Sequence, residues 1–283
     1  MDFGIAGKTA LLMSSTQGLG FGCAAALAAE GVRVVINGRN KERGIEALSK
    51  LGENAHFVQA DISKADERER LYQEAREHLG TISILVTNAD GPPSGTFMSK
   101  SSEDWQIAFE LVMLSAIDMA RHCLPEMIGQ GYGRIVNISS TSAKEITPGA
   151  LLANGIKPGL LGAFGTLARE VAATGVTVNS ILPGPFDTER IRRYATHVFG
   201  GEGISEEEAV QQYAEGRPMK RIGTIKEFGA LCAFLCSYQA SYITGQSIVI
   251  DGGQVGTLSL KPASIKNFIF ANAENVPIFP KRK

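Results

Sequence analysis

A chain of 283 residues that is 44% hydrophobic and 20% charged has enough apolar side chains for a large buried core, and it suits one big α/β domain as well as two small ones. Lys plus Arg number 28 against 29 for Asp plus Glu, a net of −1, and the block of like charge that stands out is the short Glu206-Glu207-Glu208 run. A balance so even gives no reason to expect nucleic acid or an anionic membrane as a partner.

Met1-Asp2-Phe3-Gly4 has an early acid and no basic segment, and the apolar stretch Ala10-Leu11-Leu12-Met13 is too short for a signal or a span, so a cytoplasmic protein is expected. Apolar runs follow at Thr9–Met13, Val32–Ile36, His56–Val58, Ile82–Val86, Ile135–Ile138, Val176–Ile181 and Ser247–Ile250, separated by longer segments of mostly helical periodicity. This alternation predicts repeated βαβ units. Runs apolar on consecutive residues, such as Val34-Val35-Ile36, suit strands covered on both faces, hence a mainly parallel sheet of about seven strands. Right-handed crossovers then give a doubly wound α/β fold of the Rossmann type in a single domain, residues 1–253.

The first strand leads into Ser14-Ser15-Thr16-Gln17-Gly18-Leu19-Gly20 and an alanine-rich helix from Cys23. A strand, a glycine-rich turn and a helix N-terminus make a place where backbone N–H groups and the helix dipole can hold a pyrophosphate. The alternative is a turn that only packs helix on strand. After the second strand, Asn37-Gly38-Arg39 puts a guanidinium where the adenosine ribose of a dinucleotide would lie, and the acid expected for a 2′-hydroxyl is absent. That favours NADP(H), with NAD(H) still possible, unless Arg39 is a solvated loop arginine.

Two stretches break the rhythm. Residues 185–218 have a weak periodic pattern with Gly200-Gly201, Gly203 and acids, and predict a mobile flap near the C-terminal strand ends. The flap mixes Phe186, Ile191, Tyr194, Val198 and Phe199 with Arg190, Arg192 and Arg193, which suits a partly apolar, anionic molecule. Residues 254–283 form a tail, apolar at Phe268, Ile269, Phe270, Ile278 and Phe279, expected to pack on the domain or on a neighbouring subunit. Cys232 and Cys236 lie four apart in an apolar helical stretch and read as core packing; no metal site is expected.

With Asp61-Ile62 after the third strand, Thr87-Asn88-Ala89 after the fourth, Pro183-Gly184 after the sixth, and Tyr242-Ile243-Thr244-Gly245-Gln246 with Asp251-Gly252-Gly253 at the end, the chain resembles the short-chain dehydrogenase/reductase family from about Gly7 to Gly253. Within it, the 3-oxoacyl-carrier-protein reductase-like branch is nearest. The resemblance implies cofactor contacts from Ser14, Ser15, Gln17, Gly18, Leu19, Gly20, Arg39, Asp61, Ile62, Asn88, Ala89, Lys157, Pro183 and Gly184, a small-molecule carbonyl or hydroxyl substrate, and a homo-oligomer, tetramer or dimer.

The departures bear on chemistry. The family's Thr-Gly-x-x-x-Gly-x-Gly reads Met13-Ser14-x-x-x-Gly18-x-Gly20, placing a β-carbon where a glycine permits close approach, and Asp90 replaces a glycine beside an anionic cofactor. The family uses a serine to polarise the carbonyl, a tyrosine thirteen residues later to move the proton, a lysine four further on, and an upstream asparagine. Ser140 and Lys157 match the serine and the lysine as catalytic candidates, but the tyrosine position falls on Ala153 and the asparagine position, seven beyond Trp105, on Val112. Pro158 lacks an N–H and would clash with the Asn154 carbonyl inside a helix, so the helix is expected to begin near Pro158 and run to about Ala173, leaving Lys157 at its entry or in a solvated loop.

The leading expectation is an NADP-dependent oxidoreductase whose proton delivery is rebuilt from Ser139, Ser140, Thr141, Ser142, Lys144 or Asn154, or from Tyr194 or His197 on the flap. The alternatives are a non-redox enzyme or nucleotide-binding regulatory protein on the same scaffold, and a purely structural subunit.

Overall fold

The computed structural model describes residues 2–201 and 203–256; nearly all of the predicted tail, from residue 257 on, lies outside the described residues. Seven strands, β1 (Thr9–Leu12), β2 (Arg33–Gly38), β3 (Ala55–Gln59), β4 (Ile84–Thr87), β5 (Gly133–Ile138), β6 (Val176–Pro183) and β7 (Ser247–Ile250), form one sheet in the order β3-β2-β1-β4-β5-β6-β7, and every pairing is parallel. Each apolar run of the sequence becomes a strand, with ends displaced by a residue or two.

Side chains alternate across the sheet although both faces are buried. From β1, Leu11 and the following Met13 enter a core with α3 (Ala65–Leu79), α5 (Ser115–Gly129) and α6 (Leu151–Val171), while Ala10 and Leu12 enter the opposite core with α1 (Gly18–Ala29), α2 (Lys41–Leu51) and α9 (Ile225–Cys236). Helices α1 and α9 meet at facing glycines: a β-carbon on Gly229 would lie 2.2 Å from the Gly22 carbonyl oxygen. All four cysteines are buried, Cys23, Cys232 and Cys236 between these helices and the sheet.

One expectation is corrected. Helix α6 starts a full two turns before Pro158, which lies inside it, so Lys157 is held within a helix rather than at its entry. An interior proline costs about 3 kcal/mol. The first turns offset this through Leu152 and Ile156, which are buried against Ala108 and Val112, each such side chain worth about 1.5–3 kcal/mol. The stretch 185–218, weakly periodic in sequence, contains two helices. It folds into α7 (Glu189–Phe199) and α8 (Glu206–Glu215), capped by Thr188 and Ser205 and joined by Tyr194 and Phe199 packed edge-on against Tyr213. Arg192 ties the pair by bonding Asp187 and Glu206.

Candidate cofactor and active site

The glycine-rich turn joins β1 to α1 at the carboxyl edge of the sheet, flanked by the ends of β2 and β4. Ser15 is buried and structural: its hydroxyl donates to the Leu12 carbonyl at 2.7 Å and accepts from the Asn37 N–H at 3.1 Å. Ser14 has φ +43°, the left-handed backbone that glycine adopts freely. Bonds on both sides hold it there. Its N–H donates to Asn37 Oδ1 at 3.2 Å, and its carbonyl accepts from Asn88 Nδ2 at 2.8 Å. The serine therefore leaves the backbone path of the turn in the glycine conformation, at a cost on the order of 1–3 kcal/mol.

Gly20 shows why the turn tolerates nothing larger at that position. A β-carbon there would lie 2.7 Å from the Ser14 carbonyl oxygen and 2.9 Å from Asn88 Nδ2. Gln17, the residue preceding α1, makes no side-chain cap, and the first turn contains no acid, so the N–H groups at the start of this helix are left for an anion. The Gln17 carboxamide instead accepts from Arg43 at 2.5 Å, and Arg43 reaches Glu189 at the start of α7. Leu19 packs partly buried on the core shared with α9.

Arg39 and Asp90 meet at 3.0 Å, each about two-thirds exposed, so the extra carboxylate is paired rather than left facing the cofactor groove. Because β1 lies between β2 and β4, this ion pair crosses beside the glycine-rich turn. Asp61 accepts from the Ser63 N–H and hydroxyl at 3.0 and 2.8 Å, and Ile62 is a core residue. Pro183 ends β6 buried, and Gly184 donates to the Ile250 carbonyl at 2.9 Å in a spot too close to Asp251 for any β-carbon.

Asn88, Ala89, Ser139 and Lys157 line one small cavity together with Thr87, Asn137 and Val112. The Lys157 Nζ is buried and donates to the Ser139 carbonyl at 2.9 Å. Burial, and secondarily the Arg190 charge, lower its pKa to about 8. Ser140 is half-buried; its hydroxyl accepts from the Ser142 N–H at 3.1 Å and caps a short turn. Among the described residues the buried hydroxyls of Ser139 and Ser142 have no partner, which marks this corner as a place for a ligand or water. Ala153 lies one turn before Lys157. Val112 falls in a π-helical turn, Glu110–Leu114, that links α4 (Ser102–Phe109) to α5. Such turns recur at functional sites.

Other relay candidates are committed elsewhere. Asn154 exchanges bonds with the Thr147 backbone, Tyr194 packs on Tyr213, and Lys144 and His197 are exposed. Two residues make tertiary contacts that the sequence alone did not assign to them. Asn37 braces the turn and also bonds the Val58 and Ala60 carbonyls; a polar residue ending an apolar strand was its signal. Arg190 is the other: a β-carbon on Gly91, just past β4, would lie 1.9 Å from its guanidinium.

The family profile described as enoyl-(acyl carrier protein) reductase matches residues 13–254. The NADPH-dependent reductase BacG of Bacillus subtilis is 34% identical over 89% of this chain and 99% of its own. The 3-oxoacyl-[acyl-carrier-protein] reductase FabG of Aquifex aeolicus is 32% identical over 89% of this chain and 99% of its own. The chain is a short-chain dehydrogenase/reductase. Among solved structures, L-sorbose reductase of Gluconobacter frateurii, determined with NADPH and L-sorbose, superimposes with a TM-score of 0.87 at 31% identity, over 91% of this short-chain dehydrogenase/reductase and all of the other chain. No helix among the described residues is long and apolar enough to cross a membrane.

Proposed function

We propose that the protein is an NADPH-dependent reductase of a small carbonyl substrate, working from a site in which Ala153 and Val112 replace the tyrosine and asparagine of the family. The observation that carries this reading is the joining of a preserved phosphate cradle, Gly18 to Gly20 before an uncapped α1, with the buried Lys157 amine in one groove along the strand ends. The residues fit the cofactor. Backbone N–H groups at Gly18, Leu19 and Gly20 open a helix with no side-chain cap and would hold the pyrophosphate, and Asn88 and Ala89 line the cavity beside Lys157. Arg39 would exchange the Asp90 carboxylate for the 2′-phosphate, a dianion and a stronger partner for a guanidinium.

When bound, NADPH supplies a hydride to the substrate carbonyl. Ser140, whose hydroxyl accepts from the Ser142 N–H and keeps its own proton free, would donate a hydrogen bond to the carbonyl oxygen. Lys157, with a pKa of about 8, is largely an ammonium at neutral pH and releases its proton more readily than an ordinary lysine. Its proton, passed directly or through one water, neutralises the developing alkoxide, and bulk water restores the ammonium. A second reading, nucleotide binding without turnover, draws on Ala153, which has no proton to give. A cytoplasmic homo-oligomer, dimer or tetramer, completes the proposal; exposed Ile107 and Phe109 on α4 favour an interface there.

Fluorescence titration with NADPH and NADH, followed by a panel of carbonyl substrates, tests the reading. NADPH should bind more tightly and be oxidised. Binding without oxidation of any substrate selects the second reading, and the absence of binding rejects both.

A further inference from the structure

Helix α7 begins directly above the cofactor groove. The methyl of Thr188, its N-cap, lies 3.5 Å from where a Gly18 β-carbon would sit, so the first turn of α7 covers the glycine-rich turn. Arg190, one residue into that helix, sends its guanidinium onto Gly91 at the end of β4, two residues beyond Ala89 of the Lys157 cavity. The other arginines here are neutralised: Arg192 by Asp187, Glu206 and Glu207, Arg193 by Glu189, Arg39 by Asp90. Arg190 has no carboxylate partner among the described residues, and Lys157 bonds only to a backbone carbonyl there. Asp90, the acid next to Gly91, is turned to Arg39. Gly91, under the Arg190 guanidinium, is two residues from Ala89, which lines the same cavity as Lys157, so the two cations border neighbouring parts of one groove.

We propose that Arg190 and Lys157 form an oxyanion-binding pair that selects a substrate bearing a carboxylate beside its reacting carbonyl. The buried Lys157 ammonium and the exposed Arg190 guanidinium repel one another, and a ligand carboxylate between them relieves both. The guanidinium fork of Arg190 suits a carboxylate in two-point contact, while Lys157 stands at the carbonyl. The identity of the substrate class rests on the reductase reading; the existence of the anion site does not. Phosphate oxygens of the cofactor share the same chemistry, and they belong nearer the α1 N-terminus than to the β4 edge where Arg190 lies.

The test uses the full chain and Arg190→Met, an exposed position where folding is not at risk, with Arg190→Lys as the conservative variant. Calorimetry with oxalate on the cofactor-free protein reads the anion site without turnover. NADPH affinity is measured separately, and KM is compared within the matched pairs pyruvate and methyl pyruvate, acetoacetate and methyl acetoacetate. Loss of a charge-assisted contact predicts at least about tenfold weaker oxalate binding in Arg190→Met, partly restored in Arg190→Lys. KM should rise by a similar factor for the acids, with esters and NADPH moving less than about twofold. Failure of the wild-type protein to bind oxalate, or an unchanged oxalate affinity in Arg190→Met, overturns the proposal. An equal loss for NADPH would assign Arg190 to the cofactor phosphates and overturn the substrate assignment. If NADPH does not bind at all, the reductase reading fails while oxalate still decides the anion site.

Discussion

Replacing Lys157 with methionine turns the buried amine into a measurable quantity. The amine falls from 10.5 to about 8, chiefly through burial and then through Arg190, so the folded state resists protonating it. At about 1.4 kcal/mol per tenfold change in a proton equilibrium, carrying the ammonium at pH 7 costs the native state about 3 kcal/mol. The sign follows from the depressed value: between pH 8 and 10.5 the unfolded chain binds the extra proton, so wild-type stability gains as pH rises through that window, and the full penalty stands below it. Lys157→Met removes the penalty but orphans the Ser139 carbonyl, an offset of about 1–3 kcal/mol that does not depend on pH. The pH-dependent part is therefore the readout. Denaturant melts of both proteins at pH 7 and pH 9.5 should show the advantage of the variant shrinking by about 2 kcal/mol at the higher pH. Contributions from Tyr132 and Cys123, whose burial pushes them well above this window in the folded state so that they titrate only as the chain unfolds, are common to both proteins and cancel in the difference. A stability difference that stays constant with pH would show that Lys157 titrates as an ordinary lysine and would remove the basis for its role as proton donor.

The cofactor groove offers further tests. Arg39→Asp should weaken NADPH by about tenfold or more and reverse its order with NADH, since a charge-assisted contact is worth about 1.5–3 kcal/mol; equal affinities in the parent protein would refute the assignment. Asp90→Gly frees Arg39 from an exposed pair worth about 0–1 kcal/mol, so NADPH should tighten by at most about fivefold, and any weakening would mean that Asp90 positions Arg39 for the phosphate. Ala153→Tyr places a phenol one helical turn from Lys157 and should raise kcat on carbonyl substrates by about tenfold or more, general acids contributing about 10²–10⁴-fold in favourable geometry. No gain in kcat, with NADPH still bound, would show that the groove no longer seats a carbonyl at that position.

The fold was legible because a parallel sheet buried on both faces writes itself as consecutive apolar residues, and Val34-Val35-Ile36 can be little else between two helical stretches. The glycine-rich turn was legible for the same local reason. What escaped were features set by tertiary context. Pro158 broke the expected helix on propensity grounds, yet Leu152 and Ile156 find an apolar partner surface in Ala108 and Val112 that no local rule contains. The two helices of 185–218 carry clear local signals in Thr188 and in the Ser205 to Glu208 capping box, but the glycines between them masked the pattern. Ser14 and Asp90 read as defects because their remedies, Asn37, Asn88 and Arg39, come from other strands.

On the proposed reading, Ala153 and Val112 would act on Lys157 together by leaving its surroundings apolar. A tyrosine and an asparagine beside a lysine would offer it polar partners. Ala153 offers none, Val112 packs with Leu152 and Ile156, and among the described residues Lys157 has a single acceptor, the Ser139 carbonyl. An amine so placed is desolvated without a compensating negative charge, and its proton becomes easier to remove. Burial, and then the Arg190 charge, lower the Lys157 pKa to about 8; on the proposed reading, in which Ala153 stands at the tyrosine position, that shift would bring the lysine toward the range in which it can donate the proton. A bound carboxylate would act the opposite way, raising the Lys157 pKa and holding the ammonium in place until the alkoxide forms. Substrate charge and proton supply would then be one property of the groove, with Arg190 and Lys157 neutralised only when a molecule carrying both a carboxylate and a carbonyl is present.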